Sequence, residues 1–566
     1  MTKPASRGLR SFIHELRRRR VFRAAGVYVV AGFATLQGAS VLVPALHLPD
    51  WTMTLLVVLA LVGFPFALSL AWVFDIVPER GGGRIRLEAT PDAAAAITAP
   101  VPRRLASPSA APCVAVMPFL NLSGDAENEI FVDGITEDVI AQLSKIRALK
   151  VIARASVMPF KKRDQSMHDV ASRLGATTLV DGSVRRIGEH VRIVAQLIDV
   201  NSESQLWAET YDRQLTDIFA IQTDVALHIA QALEAELSVD EQKRIRKEPT
   251  RSIAAYQLYL QGRHWFLRFN PDAFHRAIEY FGSAIAGDPG YALAHVGIAM
   301  AYAELVESGA LAPEIGRPRA TSAAREALRL DPGLAEAHCA VAHMTSLWDF
   351  NWQKAEEGFQ RAIALNPNSA DAHDLYGRMC AAQERFDDAL ALQRRAQELD
   401  PLAHRMDVAT TLLRAGRYAE AEVETTRAAE FDPDYDRAYA TLGWAQLKQG
   451  KITHGLANLE RAVRLSPEDT QWLAQLGQAR ALAGDEAGAR QILQQLEERA
   501  KSDYVASYHF SFIYTGLGEH DRALDMLERA FDERAGAIYA IKGSFLLAPL
   551  RNHPRFEQLL ARLNLK

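Results

Sequence analysis

Residues 434–467, DYDRAYATLGWAQLKQGKITHGLANLERAVRLSP, decide how most of the chain is built. The stretch carries two amphipathic helices. Tyr439, Leu442 and Gly443 mark the inner face of the first, and Gly455, Leu459 and Ala462 that of the second. Small residues let the two helices approach and the larger ones fill the space between them. Pro467 closes the unit, because proline cannot continue a helix. Prolines recur at 289, 332, 367, 401, 433 and 467, with gaps of 43, 35, 34, 32 and 34 residues. The interior positions recur with them: Ala342, Ala355, Phe359 and Ala362 before Pro367, then Tyr376, Gly377, Ala389 and Ala396 before Pro401. Such a period means a stack of helix pairs that bury their faces on one another. The longer first gap is expected from a loop inserted over 306–319. Two looser units follow, around 470–500 and 504–537. A last amphipathic segment, with Phe556, Leu559, Leu560 and Leu563 on one face, is expected to cap the stack.

This pattern resembles the tetratricopeptide repeat (TPR) over residues 252–540, about eight units of two helices, with 541–566 as the capping segment. The resemblance implies an all-α superhelix whose concave groove receives a protein segment and is lined by the first helix of each unit. By family position Met344, Asp374, Arg378, Arg437 and Trp444 are expected to face that groove, with Trp444 as an aromatic anchor.

Working back from the repeats, residues 112–240 have a different texture. A short buried strand is expected over 113–118. Phe131, Ile135, Val139, Leu143 and Ile146 recur at helical spacing. A short strand is expected at 150–153 and a helix ending at Gly175. Strands at 177–187 and from Val191 follow, joined by a turn at Gly188-Glu189, and a third strand begins at Gln205. Thr216 is expected to cap a helix with Ile218, Ile221, Val225, Ile229, Leu233 and Leu237 on its apolar face. The sum is a small α/β domain. The strings VAVMPFLNLSGDAENEIFVDGITEDVIAQLS, LVDGSVRRIGEHVRIVAQLIDV and LWAETYDRQLTDIFAIQ resemble the TolB amino-terminal-like (FlgO-like) domain of bacterial proteins. That domain commonly precedes TPRs and often follows a cyclase or winged-helix module. The chain shows neither module, so a cyclase activity is not carried over. A polar site in this domain is expected from Asp133, Glu137 and Asp138 on one helix, with Arg185 and Arg186 as their partners. The loop from Asn121 through Ser123 and Gly124 is a weaker anion-binding candidate.

Before this domain the chain is again different. Residues 24–46 and 51–74 carry no charge, and each is long enough to span a bilayer as a helix. With a turn at 47–50 they are expected to form a transmembrane hairpin. Residues 1–23 hold eight basic residues against one acid, and Arg80, Arg84 and Arg86 follow the second span. By the positive-inside rule both ends face the cytoplasm. Residues 77–111, rich in Gly, Ala and Pro, are expected to be a flexible linker. The expected fold class is therefore multidomain: a transmembrane α-helical hairpin, a small α/β domain and an all-α TPR superhelix. The expected location is the inner membrane, multi-pass, with both termini cytoplasmic.

A net charge of −5 excludes a chain that is basic throughout and coats nucleic acid. Three cysteines give no disulfide framework and no zinc spacing. No Walker loop, nucleophile elbow or metalloprotease histidine pair is present, and no cofactor is expected. The functional expectation is a membrane-anchored cytoplasmic scaffold for protein partners, in signalling or envelope assembly, with the bilayer as a second partner. The alternatives are a small-ligand or nucleotide-binding α/β domain and transcriptional regulation through a partner.

Overall fold

A computed structural model describes residues 111–124 and 127–566. The sheet has the order β3-β1-β4-β5-β6 (β1 Cys113–Val116, β3 Lys150–Val151, β4 Thr178–Ile187, β5 His190–Asp199, β6 Gln205–Gln214). A two-residue strand, β2 (Leu120–Asn121), extends β1 along the same edge of β4. β1 pairs in parallel with β3 and β4, whereas β4, β5 and β6 form an antiparallel meander. This division is written in the burial. β1 is buried at every position, as a central parallel strand must be. In β5, Val191, Ile193, Ala195 and Leu197 point inward, and the residues between them are more exposed. Helix α1 (Glu127–Ser144) and helix Ile218–Ala232 pack on each other beside the sheet. The latter is not capped by Thr216, which lies in the 3-10 turn Leu215–Asp217. The helix stops at Ala232, short of Leu233 and Leu237. The next helix, Val239–Ile245, starts at Ser238 with a capping box closed by Glu241.

From Ile253 to Glu533 the described residues form eight consecutive helix pairs. Six of the helices end alike, on Asp288, Asp331, Asn366, Asp400, Asp432 and Ser466, each just before a repeat proline. All six are extended, with φ from −133° to −148°. A residue before proline is pushed out of the helical region by the proline ring, so each helix stops where the sequence period places it. The side chain then secures the turn. Asp288, Asp331 and Asn366 accept from the backbone N–H two residues on, at 3.0, 3.0 and 3.2 Å. Within a pair, Gly443 and Gly455 let the two backbones come close. A Cβ on Gly443 would lie 2.8 Å from the Gly455 carbonyl, and one on Gly455 would lie 2.7 Å from that of Gly443. The long first gap is not a loop over 306–319. Helices Ala292–Glu307 and Pro313–Leu330 occupy most of it, and their lengths of 16 and 18 residues account for the added span.

The two domains share a core. Tyr256, Tyr259, Leu260 and Phe281 of the first repeat belong to the same buried cluster as the sheet. Gly134 of α1 sits where a Cβ would meet Leu260 at 2.5 Å. A second seam joins β3 to the turns between later repeats. Asn368, 4% exposed, donates to the carbonyls of Ser144, Ile146 and Leu149 at 3.1, 3.3 and 3.0 Å. The Ala153 N–H donates to the Leu399 carbonyl at 2.8 Å.

The chain end does more than cap the stack. Turns Gly536–Ala540 and Phe545–Leu550 fold back over the inner helices. Gln478 donates to the Leu546 carbonyl at 2.6 Å, and Gly543 lies against the Ala381 carbonyl. Helix Pro554–Arg562 buries Phe556, Leu559 and Leu560, and the Trp352 indole donates to the Leu563 carbonyl at 2.9 Å.

The expectation of a fold headed by a transmembrane hairpin is corrected. Among the described residues no helix is long and apolar enough to cross a membrane. Most of the repeat helices are too short, and the longest, Pro313–Leu330, mixes a buried face with exposed polar residues, as the others do. The fold described is a small mixed-sheet domain joined to a TPR superhelix. The basic segment 1–23, the spans 24–46 and 51–74 and all but the last residue of the linker 77–111 lie outside the described residues. The multi-pass inner-membrane location that rested on those spans is withdrawn.

Candidate functional site

The sheet domain, the inner helices and the returning chain end enclose one large cavity of about 1770 Å³. Helices Ala370–Ala382, Asp407–Arg414 and Asp436–Lys448, from three consecutive repeats, supply much of its wall. α1 contributes Glu137, Asp138 and Lys145, and the chain end contributes Tyr539 and Phe545.

A ladder of charges crosses this wall. Arg378 Nη2 reaches Glu307 Oε2 at 2.6 Å, and His343 Nε2 lies 2.8 Å from Glu307 Oε1. Burial alone would raise the Glu307 carboxyl, but Arg378 and His343 hold it below its usual range. One repeat further, Arg437 Nη2 binds Asp407 Oδ1 at 2.9 Å and His404 Nδ1 lies 2.9 Å from Asp407 Oδ2. Asp374 stands between these groups. Burial, reinforced by the Asp407 charge, pushes its carboxyl up to about 7. Glu304 is raised for the same reasons, by burial and by Glu307.

Of the residues expected in the groove, Asp374, Arg378, Arg437 and Trp444 lie on the cavity wall. Trp444 is not a free anchor. It is 1% exposed, its Nε1 donates to Gln475 Oε1 at 2.8 Å, and its ring meets Phe545 edge-on. Met344 is packed in the core between repeats and is not on the wall.

In the sheet domain the expected acids come together but with other partners. Asp133 binds Lys161 at 2.5 Å. Glu137 binds Arg154 at 3.2 Å and, across the domain boundary, Arg263 at 2.5 Å. Asp138 accepts from the Tyr256 hydroxyl and from Gln222 Nε2. Burial still pushes its carboxyl up to about 7, against the pull of those donors. Arg185 is exposed, and Arg186 lies over the Phe131 ring. Neither pairs with the three acids. In the 121–124 loop, Asn121 accepts from the Ser123 N–H, and the Ser123 hydroxyl accepts from the Arg186 N–H, so the loop is closed by its own bonds. All three cysteines are buried, and burial pushes the Cys380 thiol up to about 12, far from a reactive thiolate.

Residues 351–404 and 440–504 match the tetratricopeptide repeat family. A Rhizobium meliloti (strain 1021) protein bearing an adenylate cyclase name is 37% identical over 41% of this chain and 40% of its own length. The mouse BBSome complex member BBS4 is 29% identical over 27% of this chain and 30% of its own. The chain thus spans less than half the length of these curated relatives. The solved APC/C Cut9–Hcn1 assembly aligns over 61% of this chain and 63% of that chain at 15% identity and a TM-score of 0.38.

The charge ladder was only partly visible in sequence. His404 and Asp407 sit at the turn opening a repeat, and Glu307 lies two repeats before Arg378. Their one shared signal is their place on the first helix of a repeat or in the turn before it.

Proposed function

We propose that the protein is a scaffold whose cavity takes a charged segment of a protein partner. The carrying observation is the cavity of about 1770 Å³, whose wall is built from the first helices of successive TPR units and carries both charge signs. Arrays of this repeat serve as protein-interaction scaffolds, and the first helices are the elements the resemblance assigns to recognition. Arg378 and Arg437 are the contacts that select the segment. Trp444, packed on Phe545, stiffens the wall itself, and Met344 supports it from the core behind. The sheet domain, which resembles TolB amino-terminal-like domains, forms the facing wall and limits what can enter. The relative's cyclase name is not carried to this chain, and the sheet-domain acids already bind arginine, lysine, tyrosine and glutamine of the same chain.

A photo-crosslinking residue placed at Thr410 or Gln471, both on the wall, tests this against the same residue at Glu357, which is exposed and off the wall. The proposal expects a discrete protein adduct from the two wall positions and none from Glu357. The same adducts from all three positions would overturn it.

A further inference from the structure

The least explained polar group on the wall is Asp374. It is 6% exposed, yet its Oδ1 has no hydrogen-bond partner. A buried carboxylate left unpaired is costly. An oxygen of Asp374, a ring nitrogen of His404 and an oxygen of Asp407 all lie within 4.8 Å of one another. The three are buried side chains at the edge of the cavity.

The neighbours orient the set. His404 turns Nδ1 toward Asp407 Oδ2 at 2.9 Å and Nε2 toward Asp371 Oδ1 at 3.6 Å. Asp407 holds Arg437 with its other oxygen, Oδ1, which leaves Oδ2 on the side of the cluster. An imidazole with one nitrogen facing a ligand cluster and the other facing an outer carboxylate is how metal-bound histidines are held.

We propose that Asp374, His404 and Asp407 form a three-ligand site for a divalent transition cation of the zinc class, with Asp371 and Arg437 as its outer partners. One imidazole and two carboxylates suit zinc or manganese, whereas calcium would want more oxygens. The cavity, which all three residues line, gives the ion its entry path. The inference does not depend on that segment, because its test uses the chain with no partner present.

The test is calorimetric titration of chelator-treated full-length protein with zinc, then manganese, with magnesium as control. The expected result is one zinc per chain and no magnesium binding. Asp374→Asn, nearly isosteric, and His404→Ala should each weaken zinc binding by about 100-fold or more. Asp371→Asn should weaken it roughly 10- to 100-fold, as outer partners do. Circular dichroism of the metal-free variants confirms that each is folded. Cobalt substituted for zinc should give the visible bands of a four-coordinate site in wild type and lose them in Asp374→Asn. Failure of wild type to bind zinc at unit stoichiometry, or equal binding by the folded variants, would overturn the site.

Discussion

Replacing Asn368 by alanine should loosen the sheet domain from the repeats. The Asn368 amide donates to the carbonyls of Ser144, Ile146 and Leu149, and its oxygen accepts from the Val151 N–H at 3.4 Å. The Ile146 carbonyl keeps a second donor, the Leu149 N–H at 3.3 Å. The Ser144 and Leu149 carbonyls and the Val151 N–H lose their partner. Each buried group left unpaired costs about 1–3 kcal/mol. Allowing for a water that enters the gap, the loss is about 3 kcal/mol. At 1.4 kcal/mol per factor of ten this is on the order of a 100-fold increase in the opening equilibrium. Hydrogen exchange followed by mass spectrometry reads it directly. Amides of 146–153, which bond to Leu143, Glu241, Ile146, Pro112, Asn368, Val114 and Leu399, should exchange about 100-fold faster in the variant. The amides of helix Ile452–Leu465, remote from the seam, should not change. Unchanged exchange over 146–153, with an unchanged melting temperature, would refute the claim that this turn residue holds the domains together.

Further predictions concern the core and the buried acids. Gly443→Ala should destabilise the chain by about 1–3 kcal/mol in chemical denaturation, because the added methyl meets the Gly455 carbonyl in a packed interface. Trp444→Ala should cost about 3–5 kcal/mol and release the Phe545–Leu550 turn, seen as faster exchange there, since the ring is packed on Phe545. The Asp138 carboxyl is raised in the fold, from 3.8 to about 7, so the folded state holds its proton over that range and the unfolded chain does not. Stability from this group is full below about pH 4 and falls as pH rises through about 7. Asp138→Asn should therefore flatten the fall in denaturation free energy over that window, and an unchanged slope would count against the assignment.

The repeats were legible because one physical rule writes them. The residue before each of Pro289, Pro332, Pro367, Pro401, Pro433 and Pro467 is pushed out of the helical region and ends its helix, whereas Pro318, off that period, sits inside the helix Pro313–Leu330. The half-buried β5 was legible because alternation has one structural meaning. Helix Ile218–Ala232 was overextended, since Leu233 and Leu237 continue the apolar period beyond its end, and periodicity carries no stop signal there. The docking of the domains had no periodic trace. Beside the shared core around Tyr256 and Leu260, it rests on Asn368, a turn residue more than 200 positions from the carbonyls it binds. For the same reason the sequence pairs Glu137 with Arg185 and Arg186, whereas it binds Arg154 and, 126 residues on, Arg263. The returning turns Gly536–Ala540 and Phe545–Leu550 are short 3-10 pieces with no repeat register to announce them.

The central claim is that the inner helices around the cavity are the working surface. Its most direct test is hydrogen exchange on the full chain with and without the protein captured at Thr410. The account predicts slower exchange in Ala370–Ala382, Asp407–Arg414 and Asp436–Lys448. Slowing confined to the second helices, such as Trp352–Leu365 and Tyr418–Phe431, or to the edge strand β6, would contradict it.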